Sequence, residues 1–310
     1  MIKPIKLINL SAKEYSHPLD LEARATLEKA PGLSFLVKKV YEIGIDRMLH
    51  LESMANKVRV SEQQFPDLYK LFKETCQTLD INNHVDLYIN QSFSLNAYAA
   101  GLEYPHITVT TELLNHFEDD ELRFVFGHEL GHIQSEHILY HQIGYFLPTI
   151  LKIIGTATLG IGQLVGTGLE IALYDWIRKS EFTADRAGLL ACQNPDIFKR
   201  AFCKLTGIPQ KWYDHVNMDE IHRQADDFEK LSLSNNANKF YSYFGQMWNT
   251  HPWMILRYRD LYDWFEGLFY SQILTRREKL IDYCSRTCRC GQVIPEDSLY
   301  CIYCGRKVEA

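Results

Sequence analysis

The feature that most constrains the fold is the run His128-Glu129-Leu130-Gly131-His132, an H-E-x-x-H pattern. Residues four apart share one face of an α-helix, so a helix lets both imidazoles reach a single ion. Acidic residues occupy positions 118–121, immediately before the apolar residues of this stretch, and they favour a helix N-terminus because they oppose its dipole. The sequence therefore predicts a helix over residues 118–140 that carries both histidines.

The same spacing is typical of a zinc site, but two histidines leave it incomplete. A catalytic zinc usually has three protein ligands and one open position. Glu181 is the best candidate for the third ligand, on a second helix predicted over residues 169–191, although a helical glutamate is more often a solvated one. Glu129 is the candidate general base. Asp185, one turn after Glu181, is the candidate to orient a ligand histidine by accepting a hydrogen bond from it.

Periodicity places this pair of helices in a mainly helical chain. Apolar residues three and four apart predict helices over most of residues 11–80, and also over much of 195–250 and 253–283. Alternation at 85–89 and 107–110 predicts strands of a small sheet. The predicted class is α+β with three parts. They are an N-terminal helical segment (1–80) packed on the core, a catalytic domain (81–275) and a C-terminal module (284–310).

The C-terminal module is predicted from paired cysteines. Cys288 and Cys290 form a first knuckle, Cys301 and Cys304 form a second, and ten residues separate Cys290 from Cys301. Four thiolates spaced in this way are typical of a zinc ribbon with a structural zinc ion. The first knuckle is tighter than C-x-x-C, so Cys284 is an alternative to Cys288, and unligated reduced thiols are the alternative to a metal site.

Charge and hydropathy restrict partners and localisation. A net charge of -6 and a pI near 6.1 argue against nucleic-acid binding, which needs a clustered basic excess. The N-terminus lacks the apolar run of a secretory signal, so a cytoplasmic protein is expected. Residues 144–172 are apolar but too few for two membrane spans. They are interpreted as a soluble hairpin, with peripheral membrane contact as the alternative. The ribbon is interpreted as a surface that binds a protein partner.

Several separated motifs together resemble the HtpX-like gluzincin metallopeptidases, a family that includes the CAAX prenyl proteases and OMA-type peptidases. The resemblance covers roughly residues 18–265. The motifs are Asn96-Ala97-Tyr98-Ala99, the strand at 107–110, the run from His128 to Ile133, the run from Glu181 to Gly188, and Thr250-His251-Pro252 with Arg257.

The resemblance implies a zincin-like fold and a role for each matching residue. It implies that His128, His132 and Glu181 bind the catalytic zinc and that Glu129 is the base. It also implies that Asn96 and Ala97 lie on an edge strand that binds the substrate main chain. His251 matches a histidine that stabilises the oxyanion, with Arg257 as its partner near the metal, although His251 equally suits a helix start before Pro252.

The predicted function is that of a zinc metalloendopeptidase with one catalytic and one structural zinc ion. Its polypeptide substrates, implied only by the resemblance, are unfolded or membrane-associated proteins. One alternative is a non-catalytic zinc-binding interaction protein, and another is a zinc amidase that acts on small substrates. The membrane relatives carry transmembrane segments, partly where this chain has only residues 144–172, so membrane association is left open.

Overall fold

A computed structural model describes residues 4–158, 162–234, 253–282, 285–287 and 293–295. The helices are α1 (Ala12–Tyr15), α2 (Pro18–Leu27), α3 (Leu33–Ile43), α4 (Ile45–Asn56), α5 (Pro66–Thr78), α6 (Thr111–His116), α7 (Asp119–Gln134), α8 (Ile138–Thr158), α9 (Gly162–Cys192), α10 (Pro195–Leu205), α11 (Met218–Leu233), α12 (Met254–Glu266) and α13 (Leu268–Asp282), with a 3-10 helix at Gln210–His215. The strands are β1 (Val58–Val60), β2 (Asp86–Asn90), β3 (Ala97–Ala100), β4 (His106–Thr110), β5 (Ser285–Thr287) and β6 (Val293–Pro295).

A four-stranded sheet in the order β1-β2-β4-β3 lies beside the helices. β2 and β4 pair in parallel, with Leu87 opposite Ile107, while β1 and β3 pair antiparallel to their neighbours. Every residue of β4 is buried, as expected for a central strand covered on both faces. The prediction of a mainly helical α+β chain with a small sheet is confirmed. The N-terminal segment is not wholly helical, because β1 joins the sheet.

Helix α7 carries the H-E-x-x-H run and begins where the acidic residues predict. The backbone N–H of Glu118 donates to the carboxylate of Glu121, which satisfies one of the donors at the helix start. Glu121 is itself buried and is paired with Arg200 and Lys204 of α10. The helix ends at Gln134, earlier than predicted, and the chain turns through a left-handed residue, Glu136, before α8 begins.

Small residues let α7 and α9 approach each other closely. A Cβ atom added at Gly127 would lie 2.3 Å from Cβ of Ala191, and one added at Gly131 would lie 2.6 Å from Cβ of Ala187. Both distances are shorter than real carbon contacts allow. The absence of side chains at these two glycines therefore sets the distance between the helix that carries the histidines and the helix that carries Glu181.

The N-terminal residues share their core with these two helices. Leu7, Tyr15 and Phe72 belong to the same buried cluster as Leu130 of α7 and Leu190 of α9. A second cluster gathers residues of α2, α3, α4, α8 and α9, among them the fully buried Trp176. The segment before residue 80 thus packs directly behind the site helices.

In the described part of the chain, we find no helix with the length and apolarity that a membrane span requires. β5 and β6 form an antiparallel pair, with Arg286 opposite Ile294. The predicted ribbon cysteines, Cys284, Cys288, Cys290, Cys301 and Cys304, lie outside the described residues, as does His251.

Candidate metal centre

The structure brings His128, His132 and Glu181 together between α7 and α9. Nε2 of His128 lies 3.2 Å from Nε2 of His132. The two oxygens of the Glu181 carboxylate face the two rings, with Oε1 3.4 Å from His132 Nε2 and Oε2 3.6 Å from His128 Nε2. The side chains of His128, His132 and Glu181 are 11%, 5% and 2% exposed, in that order. One ligand atom from each of the three residues therefore lies within 4.8 Å of the others, at the edge of the buried interior.

The distances among these atoms fit a small tetrahedral ion. A zinc ion with bonds of about 2.0–2.1 Å separates its tetrahedral ligand atoms by about 3.3–3.4 Å. The separation of the two ring nitrogens, 3.2 Å, and the separation of each from one Glu181 oxygen, 3.6 Å for His128 and 3.4 Å for His132, lie close to that edge length. The donor set of two imidazoles and one carboxylate is also one that zinc accepts.

Asp185 and Arg257 support His128, the first candidate ligand. His128 Nδ1 lies 2.9 Å from Asp185 Oδ1, so the ring donates there and keeps Nε2 for a metal. Arg257 of α12 donates to both oxygens of Asp185, at 2.8 and 2.6 Å, and its third nitrogen lies 3.3 Å from Glu181 Oε2. One guanidinium therefore orients two carboxylates of α9 at once.

Burial and nearby charges shift the pKa values of the site residues in opposite directions. Burial lowers the pKa of His128, but Asp185, Glu181 and Glu129 outweigh it, so this pKa lies above its ordinary value. Burial lowers the pKa of His132 to about 4, despite its contact with Glu181. Burial raises the pKa of Asp185, and Arg257 and His128 lower it by more. In the metal-free protein, a proton therefore prefers His128 to His132.

His132, the second candidate ligand, has a different support, which sequence reasoning missed. His132 Nδ1 lies 3.0 Å from Nδ1 of His137, and His137 Nε2 lies 3.1 Å from Asp20 Oδ2. His137 follows the end of α7, and Asp20 comes from α2. No helical spacing connects His137 to the H-E-x-x-H pair, and nothing in the sequence around Asp20 marks it.

The candidate base lies on α7 beside the candidate ligands, and the candidate substrate strand contacts the same helix. Glu129 is 6% exposed, and its charge raises the pKa values of His128 and Arg257. β3 contacts α7 and is an edge strand of the sheet. Ala97 of β3 pairs with Val109, and the adjacent Asn96 is exposed and bonded through its backbone to Thr110.

Comparison with known proteins identifies relatives over most of the chain. The sequence profile described as peptidase family M48 matches residues 62–265. The plastoglobule-localized metallopeptidase 48 of Arabidopsis thaliana chloroplasts is 31% identical over 287 residues, which cover 90% of this chain and 80% of that protein. A protease HtpX homolog of Bifidobacterium longum is 27% identical over 62% of this chain and 68% of its own length. Another, from Streptococcus gordonii, is 27% identical over 64% of this chain and 74% of its own length. No solved structure matches the chain.

Proposed function

The chain belongs to peptidase family M48 and is a metallopeptidase, and from this premise we propose that it is a zinc endopeptidase whose catalytic ion is bound by His128, His132 and Glu181. The observation that carries the proposal is the grouping of two ring nitrogens, 3.2 Å apart, with the Glu181 carboxylate, whose oxygens lie 3.4 and 3.6 Å from them. Three protein ligands leave one tetrahedral position for water or substrate, as in other catalytic zinc sites.

Each group at the site then has a chemical task. A zinc ion bound by these ligands would act as a Lewis acid and would lower the pKa of a water molecule toward neutrality. Glu129 accepts the proton of the attacking water and returns it to the leaving amine. Asp185 keeps the His128 ring in the tautomer with the proton on Nδ1. Arg257 acts through the carboxylates of Asp185 and Glu181, and we assign it a positioning role.

The edge strand supports an endopeptidase rather than an enzyme for small amides. An extended polypeptide can pair with the free edge of β3 through main-chain hydrogen bonds, which requires no particular side chain. Asn96 and Ala97 lie at the start of that edge, beside α7. We propose that the substrate enters here, as an extended segment of an unfolded or membrane-associated protein.

Further proposals concern His251, the tail cysteines, the localisation and the partners. We propose that His251 stabilises the oxyanion and that four of the tail cysteines, Cys290, Cys301, Cys304 and either Cys288 or Cys284, bind a second, structural zinc ion. The proposed localisation is cytoplasmic, with residues 144–172 as a soluble apolar hairpin and peripheral membrane contact through them as the alternative. A protein partner is proposed for the ribbon, and no nucleic acid is expected.

The decisive experiment compares the wild type with Glu129→Gln, which has nearly the same shape but no basic carboxylate. Both proteins are assayed for bound zinc by elemental analysis and for cleavage of an unfolded substrate such as β-casein. We expect equal zinc content in the two proteins and proteolysis only by the wild type. A His128→Ala variant serves as the metal control and should lose one zinc ion.

Two results would contradict the proposal. Cleavage by Glu129→Gln at the wild-type rate would remove Glu129 as the base. An unchanged zinc content in His128→Ala would show that the ion is bound elsewhere.

A further inference from the structure

A line of buried groups runs from the proposed metal ligand His132 into the N-terminal segment. His132 Nδ1 lies 3.0 Å from His137 Nδ1, and His137 Nε2 lies 3.1 Å from Asp20 Oδ2. The three residues are 4%, 1% and 1% exposed. We propose that His137 and Asp20 are positioning residues that fix the tautomer and the ring orientation of His132. This inference rests on the proposed function, because it assigns His132 Nε2 to the metal.

The hydrogen positions follow from the geometry. When Nε2 of His132 binds a metal, the neutral ring carries its proton on Nδ1 and donates it to His137. His137 Nδ1 must then be the acceptor, so the proton of a neutral His137 lies on Nε2. That N–H points at Asp20 Oδ2. Both hydrogen bonds are satisfied by a single arrangement of neutral rings, and this arrangement leaves Nε2 of His132 free to bind the ion.

Asp20 is held as an anion by donors from α9. Trp176 donates its indole N–H to Oδ1 at 2.9 Å, and Thr183 donates its hydroxyl to Oδ2 at 2.6 Å. Burial raises the pKa of Asp20, but its bonds with His137, Thr183 and Trp176 lower it by more, so that it stays ionised. An ionised acceptor makes His137 a stronger acceptor for His132, as second carboxylates do behind other metal-bound histidines.

A competing explanation is a second metal ion bound by His132, His137 and His141. One ring nitrogen from each of these residues lies within 4.8 Å of the others. A metal there would have to replace the bond between His132 and His137, and also compete with the bond of 2.9 Å from His141 Nε2 to Ser180 Oγ. The hydrogen bonds that these rings already make favour the first explanation. We call that chain of hydrogen bonds, from His132 through His137 to Asp20, the relay.

The relay includes Asp20, a residue that lies outside the part of the chain matched by the family profile. The M48 profile covers residues 62–265, and Asp20 precedes it. The N-terminal segment therefore has a role besides packing, because its helix α2 supplies Asp20, the group at the end of the chain of hydrogen bonds that orients His132. Asp20, Thr183 and Trp176 connect it to α9, the helix that also carries Glu181.

The test measures zinc affinity of the full chain by competition with a chromophoric chelator. Removal of a group that orients a ligand typically costs about 10- to 100-fold in metal affinity, and we expect that loss at one site in His137→Phe. His137→Gln keeps a carbonyl acceptor and an amide donor and should recover most of the affinity. His141→Phe is the matched control and should bind zinc as the wild type does. The Co²⁺-substituted protein should show an altered visible spectrum only in His137→Phe.

The outcomes separate the explanations. Wild-type affinity in His137→Phe would overturn the relay, while loss of one zinc equivalent in both His137→Phe and His141→Phe would establish the second metal ion instead. If His137→Phe does not fold by circular dichroism, Asp20→Asn decides, and unchanged affinity in it would overturn the relay. A wild-type protein that binds zinc no better than His128→Ala would reject the proposed function itself.

Discussion

A proton on Nε2 of His128 competes with the proposed zinc ion for that nitrogen. Because the pKa of His128 lies above its ordinary value in the metal-free protein, zinc must displace a proton as the pH falls through that pKa. We therefore expect zinc affinity to be constant at higher pH and to fall about tenfold per pH unit below it. Chelator competition across the range from pH 5 to about 8.5 measures this.

A matched variant identifies the group responsible for that slope. Asp185→Asn removes the carboxylate that favours the charged ring of His128. Its decline in zinc affinity should begin at a lower pH, on top of a general loss of affinity. A decline that begins at the wild-type pH would show that another group supplies the competing proton.

Arg257 is expected to be irreplaceable even by another cation. Its two bonds to Asp185 and its contact with Glu181 need a planar fork, which lysine lacks. We expect Arg257→Lys to lower kcat/KM for casein cleavage by about 10- to 100-fold. Arg259→Lys is the control, because Arg259 pairs with Asp226 and Glu229 near the surface, where ion pairs contribute little. Equal losses in the two variants would contradict the assignment.

The residues found from the sequence and those missed differ in how local their signal is. His128, Glu129 and His132 follow one helical period, and Glu181 with Asp185 follows another, so their grouping could be predicted. His137 lies where the chain leaves the helical period, and Asp20 is separated from it by 117 positions. Only the packing of α2 against α9 brings Asp20 to the site, and no local pattern encodes that contact.

Helices α7 and α9 depend on Gly131 for their separation. In Gly131→Ala the new methyl group would lie 2.6 Å from Cβ of Ala187, so the helices must move apart. Overpacking of this kind costs about 1–3 kcal/mol of unfolding free energy. We expect lower stability in urea and weaker zinc binding, because His132 and Glu181 lie on opposite sides of the contact.

Gly168→Ala is the control for that substitution. Gly168 lies in α9, is exposed, and has no neighbouring atom within 4 Å of a new Cβ. Alanine is the better helix former by about 1 kcal/mol, so this variant should be as stable as the wild type or more so. A Gly131→Ala protein of wild-type stability would show that the helices tolerate a wider spacing.

Element boundaries show what periodicity could and could not predict. The start of α7 was predictable from residues 118–121, because the acids mark it. Its end was not, since the stretch from Ser135 to Tyr140 contains no glycine or proline, although Glu136 adopts a left-handed conformation there. β1 carried a signal that went unused, because Val58 and Val60 alternate with Arg59 as strand residues do.

The whole molecule is expected to bind two zinc ions, of which only the catalytic one is needed for proteolysis. Simultaneous replacement of Cys301 and Cys304 by serine should lower zinc content from two ions to one per chain, because two thiolates of the proposed ribbon are lost. Proteolysis should persist, since those cysteines are distant in sequence from the catalytic ligands. Elemental analysis and casein cleavage measure both. A double variant that keeps both ions would refute the ribbon.

The parts of the metal centre are distributed along almost the whole chain, from Asp20 on α2 to Arg257 on α12. A ribosome must therefore have released the chain as far as Arg257 before a ligand histidine, its supporting carboxylate and its arginine can meet. We expect a nascent chain to be proteolytically silent until then. The arrangement thereby protects neighbouring unfinished polypeptides from an enzyme whose proposed substrates are unfolded.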